Sequence, residues 1–151
     1  MSRDSTTGMI YAGTFHRTMD AKNRVTVPSE WLSGEAEEFF VLPGQANLSV
    51  MPATELARKE DEVRAMLPPG PALQQALRTI YGSARRVETD KQGRILLPDE
   101  LCKKVELAGE VAFVGVKNRF EIWSAAKWSS AAEQESELSE EARRALEALG
   151  L

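Results

Sequence analysis

The feature that most limits how this chain can fold is a nine-residue stretch that occurs twice. Asp20-Ala21-Lys22-Asn23-Arg24-Val25-Thr26-Val27-Pro28 returns as Asp90-Lys91-Gln92-Gly93-Arg94-Ile95-Leu96-Leu97-Pro98, with the Asp, the Arg and the Pro each displaced by the same seventy positions. That is an internal repeat. Each copy reads as a tight polar turn that opens with Asp, carries Asn or Gly one residue before the Arg, and runs into a short apolar strand stopped by Pro. Gly93 takes a positive φ at no steric cost, and Asn tolerates left-handed geometry best among the other residues, so Asn23 keeps the same turn possible. Each copy is therefore a turn that presents an arginine.

The likeness continues beyond the turn. Phe39-Phe40-Val41-Leu42 aligns with Val111-Ala112-Phe113-Val114, and Asn47 to Met51 with Arg119 to Trp123, once a two-residue insertion raises the offset to seventy-two. The duplicated unit spans about forty residues, near the lower limit for a chain that folds alone without disulfides, metal or a partner. Two such units are expected to need each other. The expected division is a disordered stretch at 1–8, a first repeat with its following helix at 9–67, a linker and helix at 68–81, a second repeat with its helix at 82–135, and a C-terminal helix at 136–151.

Composition bounds the function. A chain of 151 residues, 42% hydrophobic and 28% charged, has the length and balance of one soluble domain. No run approaches the ~20 apolar residues of a membrane span, and the polar start Met1 to Gly8 lacks the apolar region of a signal peptide. A cytoplasmic protein with no membrane partner is expected. The single Cys102 permits no internal disulfide, and the single His16 offers little for metal or acid–base chemistry. No phosphate loop, metal-ligand spacing or nucleophile elbow is present, so no catalytic residue, cofactor, metal or small-molecule substrate is expected. The net charge of −4 opposes a nucleic-acid partner, but its distribution weakens the objection. Residues 124–151 hold three basic side chains against six acidic ones, which leaves sixteen against seventeen in residues 1–123. Bases gather around the turns: Arg17, Lys22 and Arg24 in the first, Arg85, Arg86, Lys91 and Arg94 in the second. A local basic patch is what a binding face requires.

Periodicity predicts strands at 9–16, 24–27, 38–42 and 47–51, then helices over 52–66 and 71–81, the second stopped by Gly82. The second repeat predicts strands at 83–89, 94–97, 110–116 and 118–123, a short helix at 99–105, a helix after Ser124 and a final helix over 139–149. Lys117-Asn118 reads as a hairpin in which Asn takes the positive φ. The class is α+β, two matching four-stranded units each followed by helix.

The doubled D-x-x-x-R turn with Pro four residues after the Arg, together with Arg119-Phe120-Glu121-Ile122-Trp123 closing the second unit, resembles the MraZ family of bacterial proteins over nearly the whole chain. Each unit is also similar to the DNA-binding half of AbrB-type regulators. The resemblance implies a double-split, swapped-hairpin β-barrel built from the two repeats. It also implies binding of double-stranded DNA through the turn arginines, ring-like homo-oligomers, and transcriptional control of the division and cell-wall gene cluster from repeated operator sites upstream of the protein's own operon. Such a protein would be associated with the nucleoid. The chain departs from the family pattern at Asn23, where glycine is usual, and at Gln92, which replaces Lys22 while Lys91 stands one position earlier.

Two readings of the turns remain open. In the first, Arg24 and Arg94 offer planar forks to a guanine edge or a phosphate, Lys22 and Lys91 meet phosphates, and Arg17, Arg85, Arg86 and Gln92 complete the DNA face. In the second, each Arg pairs with its own Asp as a structural clasp. Asp20 and Asp90, with Asn23 and Gly93, are assigned to shaping the turn, since a carboxylate is repelled by DNA. Trp31 is expected in the core, and Cys102 is expected to be structural although Lys103 and Lys104 stand close by. The alternative for the whole protein is an oligomeric scaffold that binds another protein.

Overall fold

The computed structural model describes residues 8–135 and 138–151, so most of the stretch expected to be disordered, residues 1–7, lies outside the described residues. The chain runs β1 (Thr14–Thr18), β2 (Arg24–Thr26), a 3-10 turn (Ser29–Trp31), β3 (Glu38–Pro43), β4 (Leu48–Met51), α1 (Ala53–Met66), α2 (Pro71–Ser83) and β5 (Arg85–Glu88). It continues through β6 (Arg94–Leu96), α3 (Asp99–Lys104), β7 (Glu110–Gly115), β8 (Phe120–Ser124), α4 (Ala125–Glu135) and α5 (Glu140–Ala148).

The strands form two sheets, and both are open. Six strands lie in the order β1-β7-β8-β4-β3-β5, and β2 and β6 form a separate two-stranded ribbon. The closed double-split barrel expected from the sequence is therefore corrected: β1 ladders only with β7 and β5 only with β3, which leaves both as outer edges. The cause lies in the turns. Each tight turn swings its three-residue exit strand out of the larger sheet, and β2 and β6 then pair with each other, so no strand remains to join the two edges.

Every inter-unit ladder crosses between the copies. The hairpins β3-β4 and β7-β8 meet through β4 and β8, with Leu48 opposite Ile122 and Val50 opposite Phe120. β1 of the first unit edges the second unit's hairpin, with Phe15 opposite Phe113, and β5 of the second edges the first's, with Phe39 opposite Val87. The apolar faces converge on a cluster of rings. Trp31 is 1% exposed, its ring centroid 4.9 Å from Phe120 and 5.7 Å from Tyr11, and its indole N–H donates to the Ala12 carbonyl at 3.0 Å. Burying a side chain of this size stabilises a fold by roughly 3–5 kcal/mol as judged by truncation, so Trp31 belongs to the core.

Three local features differ from the sequence reading. β1 starts at Thr14 because Gly13, at φ +101°, turns the chain, and Tyr11 makes only an isolated bridge to Lys117. In the β7-β8 hairpin the positive φ falls on Lys117 at 70°, because Lys117 is pinned from outside by paired backbone bonds of 2.9 Å to Tyr11. α2 runs through Gly82 to Ser83, whose hydroxyl donates back to the Thr79 carbonyl at 2.7 Å and closes the helix one residue later.

Candidate nucleic-acid interface

Asp20 closes the first turn with its backbone and both carboxylate oxygens. Its N–H donates to the Arg24 carbonyl at 2.9 Å, and its own carbonyl accepts from Asn23 N–H at 3.0 Å. Oδ1 accepts from the backbone N–H of Lys22 and Arg24 at 2.9 and 2.8 Å, and Oδ2 accepts from Arg24 Nε at 2.8 Å. The second turn repeats every bond: Gln92 and Arg94 N–H donate to Asp90 Oδ1 at 2.9 Å each, and Arg94 Nε donates to Oδ2 at 2.9 Å. Asn23 sits at φ 63° and Gly93 at φ 77°. The backbone N–H of Arg24 and of Arg94 is the main reason that each carboxyl is held below its ordinary value of 3.8; the guanidinium adds to it. Both aspartates therefore stay ionised at neutral pH.

The clasp uses one edge of each guanidinium. Among the described residues, Nη1 and Nη2 of Arg24 and Arg94 have no hydrogen-bond or ion-pair partner, and both side chains are about one-third exposed, at 38% and 34%. The pairing with Asp and the offer of a fork are thus compatible: Nε fixes the direction and the outer nitrogens stay available. Lys22 and Lys91 are exposed at the turn tips, with no partner among the described residues.

The ribbon joins the two turns. Leu97 N–H donates to the Asn23 carbonyl and Val27 N–H to the Gly93 carbonyl, both at 2.9 Å, so each turn is bonded to the strand leaving the other. Between these bonds Arg24 faces Leu96, Val25 faces Ile95 and Thr26 faces Arg94. Val25 and Ile95 are buried at 1% and 0%, which sets the alternation: Arg24, Thr26, Arg94 and Leu96 share the outer face. Thr26 and Leu96 were not singled out from the sequence. The signal was there, because Val25 and Val27 on one face of the strand force Thr26, and by the repeat Leu96, onto the other.

Other candidate residues are placed less simply. Arg85 is ion-paired to Glu100, and Arg86 Nε lies 3.4 Å from Glu38. Both nevertheless line a shallow depression with Lys22 and Leu96 beside the ribbon. Arg17 stays on β1, its guanidinium 5.6 Å from the Phe15 ring centroid and Nη1 donating to the His16 carbonyl. Gln92 contributes its backbone N–H to the turn. Asn23 does more than permit the turn, since its Nδ2 donates to Asp99 Oδ1 at 3.1 Å and ties the first turn to α3. Cys102 is buried, and burial, followed by the charge of Asp99, pushes its thiol up to about 11. It is protonated and unreactive at neutral pH, despite Lys103 and Lys104.

Comparison with known proteins turns this geometry into a relationship. A family model described as "MraZ protein, putative antitoxin-like" matches residues 80–149. The Transcriptional regulator MraZ of Acetivibrio thermocellus is 31% identical over 143 residues, covering 94% of this chain and all of the relative. The chain belongs to the MraZ family. The Transcriptional regulator MraZ of Desulfitobacterium hafniense strain DCB-2 matches with the same coverage at 33% identity, and that of Carboxydothermus hydrogenoformans at 35% over 80% of this chain and 85% of its own. The resemblance drawn from the doubled turn is therefore correct at the level of family. At the level of family this is an MraZ-type transcriptional regulator. Among the described residues no helix is long and apolar enough to cross a membrane.

Proposed function

We propose that this MraZ-family protein regulates transcription by binding double-stranded DNA through the β2-β6 ribbon, with Arg24 and Arg94 as its reading heads. One observation carries the reading: each Asp clasps only the Nε edge of its arginine, which leaves two aimed Nη groups without a partner among the described residues. A guanidinium held in that way is suited to bidentate contact with a guanine edge or a phosphate. Lys22 and Lys91 take flanking phosphates, which position the protein without reading sequence. Arg85 and Arg86 join them once DNA competes with Glu100 and Glu38. Arg17 and Gln92 stand at the margin of this face.

One protomer supplies few contacts, so the proposed form is a ring-like homo-oligomer on repeated operator sites upstream of its own operon. There it controls the division and cell-wall gene cluster and resides on the nucleoid. Tethered copies engage successive sites at high effective concentration, which raises overall affinity by about 10²-fold or more without any new contact.

The test is binding to DNA from upstream of the protein's own gene against scrambled DNA over a salt series, comparing wild type with the Arg24→Ala/Arg94→Ala variant. Folding of the variant is checked by its melting curve. Wild type should prefer the upstream DNA and lose affinity steeply with salt, and the folded variant should lose the preference. Equal binding by both proteins, or no discrimination by either, would make the turns structural and turn attention to a scaffold that binds another protein.

A further inference from the structure

The outer face of the ribbon holds one residue that charge does not explain. Leu96 is 58% exposed on a strand whose other two residues are a clasped arginine and a fully buried isoleucine. It faces Arg24 directly, and Arg94 lies two residues before it on the same face. The flanking backbone bonds put both the Arg24–Leu96 and the Thr26–Arg94 pairs at the non-hydrogen-bonded positions of the ladder, where opposed side chains come closest. Leu96 also walls the depression lined by Lys22, Arg85, Arg86 and Asp99. A lone exposed leucine on a protein surface needs no explanation. One held between two aimed guanidinium groups, at the edge of a basic hollow, does.

The first repeat has Thr26 at the equivalent position, seventy residues earlier, so the two halves of the ribbon differ chemically. We propose that Leu96 is a specificity-determining residue: its isobutyl group packs against the C5-methyl group of a thymine in the major groove, next to the base contacted by Arg24 or Arg94. The inference rests on the proposed DNA-binding reading and deepens it. Of the groups that base edges show in the major groove, only the thymine methyl offers an apolar side chain a favourable contact, and the other groups there are hydrogen-bond donors and acceptors that Leu96 would leave unpaired. The half of the ribbon with Leu96 therefore demands a thymine where the half with Thr26 is more permissive. An asymmetric half-site follows from a nearly symmetric fold.

The experiment uses the full chain and upstream DNA made in two forms, one with thymine and one with deoxyuridine throughout, which keeps every hydrogen-bonding group and removes only the methyl. Affinity of wild type, Leu96→Ala and Leu96→Thr is measured on both, with oligomer mass and melting temperature recorded for each protein. Wild type should bind the deoxyuridine DNA about fourfold more weakly for each methyl that Leu96 contacts, the effect of one buried methyl-sized group. Leu96→Ala should bind thymine DNA more weakly by a similar factor and lose that part of the discrimination. If Leu96→Ala keeps the wild-type ratio between the two DNAs, or wild type shows no ratio, Leu96 does not read the methyl. If Leu96→Ala instead forms a smaller oligomer, the residue is an assembly contact and the proposal is overturned. Failure of wild type to prefer its upstream DNA over scrambled sequence would remove the underlying DNA reading as well, which is a separate result.

Discussion

The two turns differ at one backbone position, and that difference predicts an unequal response to substitution. Gly93 holds φ +77°, and a Cβ added there would lie 3.0 Å from Leu32 Cδ1. Gly93→Ala therefore meets two costs. The left-handed backbone is worth about 1–2 kcal/mol against an ordinary L-residue. The contact with Leu32 adds less, because a methyl at the end of a flexible, half-buried side chain yields by a few tenths of an ångström. For a domain of this size about 1 kcal/mol lowers the melting temperature by about 2–4 °C, so Gly93→Ala should melt roughly 2–8 °C below wild type. Gly93→Asn, which copies the first turn, should lose less, since Asn tolerates this geometry. Removing the steric part with Leu32→Ala in the Gly93→Ala background should leave most of the turn's own loss in place, once the cost of Leu32→Ala alone is subtracted. In the first turn Asn23→Gly relaxes the backbone but gives up the bond to Asp99, two opposed small changes that leave the melting temperature near wild type. Thermal unfolding of these variants by circular dichroism gives the order directly. Equal melting of Gly93→Ala and wild type, or a smaller loss for Ala than for Asn, would refute the reasoning.

The aspartate clasps set a pH limit. Both carboxyls are held below 3.8 in the folded chain, chiefly by the backbone N–H of Arg24 and of Arg94, so their contribution is complete above that value and is lost as pH falls through the lower folded values. Acid unfolding of wild type should therefore steepen below about pH 3.8, and the Asp20→Asn/Asp90→Asn variant should show a shallower acid dependence; parallel profiles would refute the link. Gly115 tests the strap across β7: a Cβ there would lie 2.5 Å from both the carbonyl carbon and oxygen of Tyr11. Gly115→Ala should lift that strap and release Tyr11, whose phenol burial, helped by the charge of Glu37, pushes up to about 12. Its absorbance titration should move back toward 10, and an unchanged titration would contradict the close approach.

How much of this was legible depended on whether the cause was local. The turn geometry was readable because Asp, Asn or Gly, and Arg act within five residues of one another, and the hairpins because alternating apolar residues flank short polar links. The family was readable from the doubled motif. Closure of the sheets was not, because whether β1 and β5 end as open edges depends on where the tight turns send β2 and β6, a long-range matter that periodicity does not encode. The same holds for Lys117, whose positive φ is fixed by Tyr11 from another part of the chain, against the local preference of Asn118. Gly82 looks like a helix stop in the sequence, but the hydroxyl of Ser83 that follows it bonds back to the Thr79 carbonyl and carries the helix one residue further.

The ribbon also limits what one protomer could read under the proposed function. Arg24 and Arg94 occupy diagonal ladder positions, about 7 Å apart, and successive bases along one strand rise about 3.4 Å. One ribbon therefore addresses about two base steps. Two bidentate forks supply about 1–3 kcal/mol of discrimination each, whereas specific recognition in a genome needs about 4–10 kcal/mol over non-specific binding. The net charge of −4 further weakens the sequence-independent attraction on which a single protomer would depend. Two forks together reach about 2–6 kcal/mol, only the lower part of the range that specific recognition needs, so under the proposed function two or more ribbons acting together supply the rest. Because each turn is bonded to the strand leaving the other, the proposed oligomer would present each ribbon as one unit, and that proposal makes the spacing between ribbons part of the recognised sequence along with the bases beneath each arginine.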